Sequence, residues 1–142
     1  MRVLRDIIIL EAVKMFMKIN AFAGVILALI PFVLFPVCES LRPDGSHMAC
    51  WYSGIFITVA GVVIAILSCV KRFRVMSLIA SMCLAVSCWL VPHRVIDIVP
   101  LGLCGDLSHS CRAEMMPAVG VIVCVVVCVS FAGLIMGFVK EK

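Results

Sequence analysis

Sulfur and imidazole side chains supply the reactive chemistry of this chain, and they gather in two short stretches. Cys38 and Cys50 bound the first, which also holds His47 and Met48. Cys104 and Cys111 bound the second, with His109 between them and Met115 and Met116 just beyond. Three chemistries suit such sets. The first is structural: disulfides Cys38–Cys50 and Cys104–Cys111 would each close their own loop and fix where two helices emerge, adding ~2–4 kcal/mol apiece. Four cysteines allow three pairings, so bonds from one loop to the other stay open. The second is metal ligation, with His47, Met48, Cys50, His109, Cys111, Met115 and Met116 as candidates. Soft sulfur with imidazole suits Cu(I), and Cys/His sets suit zinc, although neither cysteine pair has the spacing of about two to four residues usual in structural zinc sites. Apolar packing at a membrane interface is the plainer role of the three methionines. The third is thiol–disulfide exchange, which relies on an activated pair, typically Cys-x-x-Cys. The chain has no such pair; Arg94 and Arg112 are the cations that could lower a neighbouring thiol's pKa.

Apolar helices must position these stretches. Four runs, Ile19–Val37, Trp51–Val70, Val75–Val91 and Ala118–Val139, contain no Asp, Glu, Lys, Arg or His. Each is close to the roughly 20 residues a helix needs to cross a ~30 Å hydrocarbon core. The chain is 65% hydrophobic and 14% charged, against about 45–50% and 25% in soluble domains. Backbone groups in lipid must be satisfied internally, so the spans should be helices. The expected fold is all-α: an antiparallel bundle of four transmembrane helices with two disulfide-bearing outer loops. Residues 19–140 form that domain, and residues 1–18 a cytoplasmic or interfacial segment.

The net charge of +4 follows topology and is no nucleic-acid signal. Arg2, Arg5, Lys14 and Lys18, then Lys71, Arg72 and Arg74, then Lys140 and Lys142 account for nine of the twelve basic residues. Basic segments stay cytoplasmic. Both termini are therefore expected inside an inner (plasma) membrane, with the loops at 38–50 and 92–117 outside, where disulfides persist. Trp51, Tyr52 and Trp89 fit an aromatic belt on that side. Residues 1–18 mix Val3, Leu4 and Ile7–Leu10 with Arg2, Arg5, Asp6 and Glu11, as in an amphipathic interfacial helix. Met15 and Met17 are alternative translation starts, and no clear A-x-A site marks a cleaved signal peptide. In both loops a Pro precedes a Cys and a Ser-His leads to the second Cys, which fits a tandem duplication.

Small residues at helical spacing suggest the helix contacts: Gly54, Thr58, Gly61 and Ala65 in the second span; Ser77, Ser81, Ala85 and Cys88 in the third; Gly120, Cys124, Cys128 and Ala132 in the fourth, with Gly133 and Gly137 beside them. Pro31 and Pro36 should bend or end the first span. Ionisable groups inside spans mark ion paths and proton relays; the spans have none, so an autonomous ion-coupled transporter is not expected. His47, His93 and His109 lie outside the spans, which argues against haem ligation within the bundle. No phosphate-cradling loop, nucleophile elbow or His-Glu-x-x-His pattern occurs.

Leu34-Phe35-Pro36-Val37-Cys38, Met48-Ala49-Cys50-Trp51, and Leu101-Gly102-Leu103-Cys104 followed by Cys111 and Pro117 together resemble the DUF4418 family. These are short bacterial and archaeal four-span membrane proteins of unknown function. The resemblance covers about residues 17–140. Trp51 stands where relatives often carry a His, with His47 upstream instead, which departs from a shared His ligand. The resemblance implies no established activity. It does imply association with ABC-type transporter components that have FtsX-like permeases, in some cases iron-linked.

The leading expectation is a non-enzymatic membrane subunit, without a cofactor, whose partners are membrane lipid and other integral membrane subunits. The alternative is a membrane thiol–disulfide oxidoreductase, or a copper- or zinc-handling protein, using the loop Cys, His and Met side chains.

Overall fold

In a computed structural model, described for residues 2–37, 45, 47–70, 74–93, 101–103 and 111–141, all regular structure is helical. α1 (Arg2–Leu29) runs on into a π-helical turn at Ile30–Leu34. α2 spans Ala49–Cys69 and α3 spans Arg74–Leu90. A second π-helical turn, Cys111–Met115, opens α4 (Met116–Glu141). Segments Ile7–Leu34, Ala49–Cys69 and Cys111–Phe138 are long and apolar enough to cross a membrane. α3 is apolar but has 17 residues, about 25 Å of rise, just under the hydrocarbon thickness.

The helices close into a ring in which α1 packs on α2 and α4, and α3 packs on α2 and α4. Facing pairs show that neighbours run antiparallel. Gly24 faces Gly61, Trp89 faces Gly120, and Leu78 faces Gly133. α1 and α2 touch backbone to backbone: a Cβ on Gly61 would lie 2.6 Å from the Ala28 nitrogen and 2.7 Å from the Gly24 oxygen. In lipid, where apolar surface gains little by leaving the solvent, such close van der Waals approach is what joins helices. Leu27, Ile30, Ile57, Ile64, Val119 and Val126 fill the centre of the ring.

Polar side chains tie the helices at several levels. Thr58 Oγ1 donates to the Ala28 carbonyl at 3.2 Å, and Ser77 Oγ to the Leu67 carbonyl, joining α3 to the end of α2. Asn20 Nδ2 donates to Ser130 Oγ at 2.8 Å from inside the bundle. The α3–α4 register given by Leu78–Gly133 and Trp89–Gly120 places Ser81 level with Ser130. Asn20, Ser81 and Ser130 are all fully buried.

Two expectations need correction. The segment before residue 19 is not a separate interfacial helix. It continues α1 without a break, because neither Gly nor Pro interrupts Arg2–Ala23 and because Ile9, Val13 and Met17 bury against Met136 of α4 at four-residue spacing. Cys124 and Cys128 do not line the helix contacts of the bundle; both are exposed. A four-residue step advances about 400° round a helix and so drifts about 40° each time. A stripe read at 120, 124 and 128 therefore turns away from the core, while α4 buries Val119, Val123, Val126 and Ser130. The other expected contact residues, Gly54, Gly61, Ser77, Ser81, Ala85 and Cys88, are buried, and Gly120 lies against Trp89.

Candidate functional site

The sulfur and imidazole side chains meet at the distal end of the bundle, remote from both termini. Its geometry starts with Pro31, which has no N–H to continue the α-helical ladder. The chain widens into the π-helical turn, where Phe35 N–H donates to the Ile30 carbonyl at 2.9 Å and Val37 N–H to the Pro31 carbonyl at 2.8 Å. The first span thus ends where Pro31 and Pro36 predict. Val37 folds back over the start of α2 and becomes buried; a Cβ on Gly54 would meet its Cγ1 at 2.8 Å.

Met48 is extended before α2, with φ −68° and ψ 156°. Cys50 then enters in the first turn with 0% exposure. One turn further on, Ser53 locks the second connection in place: its Oγ donates to the Gly102 carbonyl and accepts from the Gly102 N–H, both at 2.9 Å. Trp51 stacks on His47 with ring centroids 4.2 Å apart and an 11° interplanar angle, and Tyr52 packs edge-on against Trp51. His47 Nδ1 is buried and has no hydrogen-bond partner. From α4's side, the π-helical turn delivers Cys111 and Met115, both at 0% exposure, with Met116 behind them. Cys50, Cys111, Met115 and Met116 belong to one buried cluster, against which Met48, Trp51 and Leu103 pack.

Six of the candidate ligands, His47, Met48, Cys50, Cys111, Met115 and Met116, therefore converge on one end. Cys38, Cys104 and His109 lie outside the described residues, so each expected disulfide has one partner there. Among the described residues no two cysteines stand at disulfide distance, and no three His, Cys, Asp or Glu side chains gather as a metal set. What remains is a buried cluster of sulfur side chains, with the buried His47 Nδ1 lacking a hydrogen-bond partner at the same end.

Residues that spacing alone did not single out also matter here. Ser53 and Gly102 carry the contact between the two distal connections, and His47 uses Trp51 as a stacking surface. Ser53, a hydroxyl one turn after Cys50 in an apolar run, was the available signal.

An all-helical ring with three membrane-length apolar segments and a fourth shorter apolar helix defines a polytopic membrane protein. Within that class the chain belongs to the family described as a domain of unknown function (DUF4418), whose model matches residues 20–136. No curated protein and no solved structure matches it. The matched segment takes in all four helices and the distal cluster, and leaves most of α1's N-terminal extension outside.

Proposed function

We propose that the chain is a non-enzymatic subunit of a larger membrane assembly, with four spans, both termini in the cytoplasm of an inner (plasma) membrane, and disulfides Cys38–Cys50 and Cys104–Cys111 stapling its outer loops. The partner class is an integral membrane permease of the ABC type, of the FtsX-like kind that the family resemblance implies, with an iron or other metal cargo.

One observation carries this reading. α4 turns Val121, Cys124, Cys128, Phe131, Ile135 and Phe138 away from its own bundle. Their three- and four-residue spacing makes a continuous seam, and the two small thiols form a notch between larger side chains. Small positions flanked by bulky ones are how membrane helices accept a neighbour closely. Affinity purification in mild detergent is expected to recover a stoichiometric integral membrane partner, and a thiol crosslinker on Cys124 or Cys128 to join it to this chain. A well-behaved lone monomer, uncrosslinked in its native membrane, would overturn the proposal.

A second reading is favoured by the buried pairing of Cys50 and Cys111 with three thioethers and the unmet His47 Nδ1. In it the distal end handles thiols or Cu(I). Alkylation and mass spectrometry separate the two readings. Closed, inert disulfides support the subunit, whereas thiol states that respond to quinone or Cu(I) support the rival.

A further inference from the structure

One interior layer of the bundle brings together polar side chains from three helices. On the side of the proximal end, which carries both termini, α1, α3 and α4 meet over Gly133. A Cβ there would lie 3.0 Å from Leu78 Cδ1 and 3.7 Å from Phe16 Cδ2. One turn towards the distal end, the same three helices present Asn20, Ser81 and Ser130. The steps are four residues along α1 and three along α3 and α4, each returning to nearly the same helix face. All three side chains have 0% exposure. Asn20 Nδ2 donates to Ser130 Oγ at 2.8 Å, whereas Asn20 Oδ1 and Ser81 Oγ have no hydrogen-bond partner. Ala23, Ala85 and Val126, all buried, form the next layer on the distal side.

A buried oxygen without a partner forfeits the hydrogen bond it makes to solvent in the unfolded chain. Two of them in one layer call for a shared partner, and their chemistry selects it. Oδ1 only accepts, whereas a serine hydroxyl both donates and accepts. A carboxamide turned the other way would offer Nδ2, a donor, at the same place. Water serves either orientation. The partner must also be neutral. Asn20, Ser81 and Ser130 all lie in runs without Asp, Glu, Lys, Arg or His. Lys18, the nearest charge along α1, is exposed about 200° round the helix. A cation in this layer would stand uncompensated in the interior. Room comes from the residue types. Ser81 has two heavy atoms fewer than Leu78 of the layer beneath, about the 30 Å³ that one water takes.

We infer that this layer is a binding site for one water molecule, which hydrogen-bonds both the Asn20 carboxamide and the Ser81 hydroxyl. It ties α1 to α3, the two helices that stand diagonally across the ring. Enclosed waters with several polar partners are parts of a fold and costly to remove. The site is distinct from the α4 seam and from the distal sulfur cluster, and stands whether or not a protein partner binds.

Asn20 is the chain's one asparagine, and no glutamine occurs. The ¹⁵N-labelled full chain in lipid nanodiscs therefore gives a single side-chain carboxamide pair by NMR. A dipolar cross-peak is expected between that pair and the water frequency, with the sign of close contact rather than of proton exchange. In Ser81→Val, whose methyls fill the space, the cross-peak is expected to vanish while the pair still resolves. Unfolding midpoints give a second reading. Asn20→Leu and Ser81→Ala each remove one end of the same bridge, so the double variant should lose no more than the worse single one. A parent without the cross-peak would overturn the inference, as would a cross-peak that survives Ser81→Val or additive losses in the double variant. A carboxamide pair that shifts when Na⁺ replaces K⁺ would also overturn it, by marking a cation site.

Discussion

The two ends of the bundle are built on opposite rules. At the distal end side chains close on one another: Val37 caps Gly54, Ser53 grips Gly102, His47 lies flat on Trp51, and Cys50 and Cys111 have no exposed surface. At the proximal end charged residues surround open space, Cys69 is exposed, and Gly137 borders an unfilled groove. Reactive groups are thus sealed where the fold is tight, while the fold is loose where only charge is on offer. A sealed end suits a fixed shape presented to a partner.

The comparison breaks most readily at Gly54. A Val there would drive its methyls into Val37, 2.8 Å from the position of a Cβ, and into Pro31, 3.3 Å away. Overpacking of this kind is expected to cost about 3 kcal/mol, read as a lowered unfolding midpoint in detergent. A midpoint equal to the parent's would mean that the distal lid yields freely, and the contrast between the ends would fail. Ser53→Ala is the next largest. It strips partners from both the N–H and the carbonyl of buried Gly102, at about 2 kcal/mol, and should lower the unfolding midpoint by less than Gly54→Val does. Unaltered stability would show Gly102 held by other means.

Much of this was legible beforehand. The charge-free runs mark three helices of membrane-crossing length and a fourth, shorter apolar one, and the hairpin order returns both connections to one end, while the sequence left open whether the two connections touch. Three things were not legible. The outward turn of Cys124 and Cys128 depends on which of several small stripes on α4 meets its neighbours, and α4 is apolar all round, so no polar face points to the answer. The Gly24–Gly61 contact and the Asn20–Ser130 bond are relations between helices far apart in sequence. The proximal cleft draws on three separate segments, and its charges read locally as ordinary topology signals.

Glycine substitution at the open end should have the opposite sign. Gly137→Ala places a methyl in ordinary contact with Val75 and nothing nearer. Relief of glycine's helix penalty then raises stability by up to ~1 kcal/mol. The same instrument that registers a loss at Gly54 should register this small gain. A loss at Gly137 would show the groove to be already filled by the protein's own packing.

The smallest effect on stability belongs to Glu11→Gln. Glu11 and Lys14 stand one turn apart on α1 with both side chains well exposed, and exposed ion pairs add little to folding. The unfolding midpoint should not move. A variant that unfolds earlier would make Glu11 a structural strut of α1.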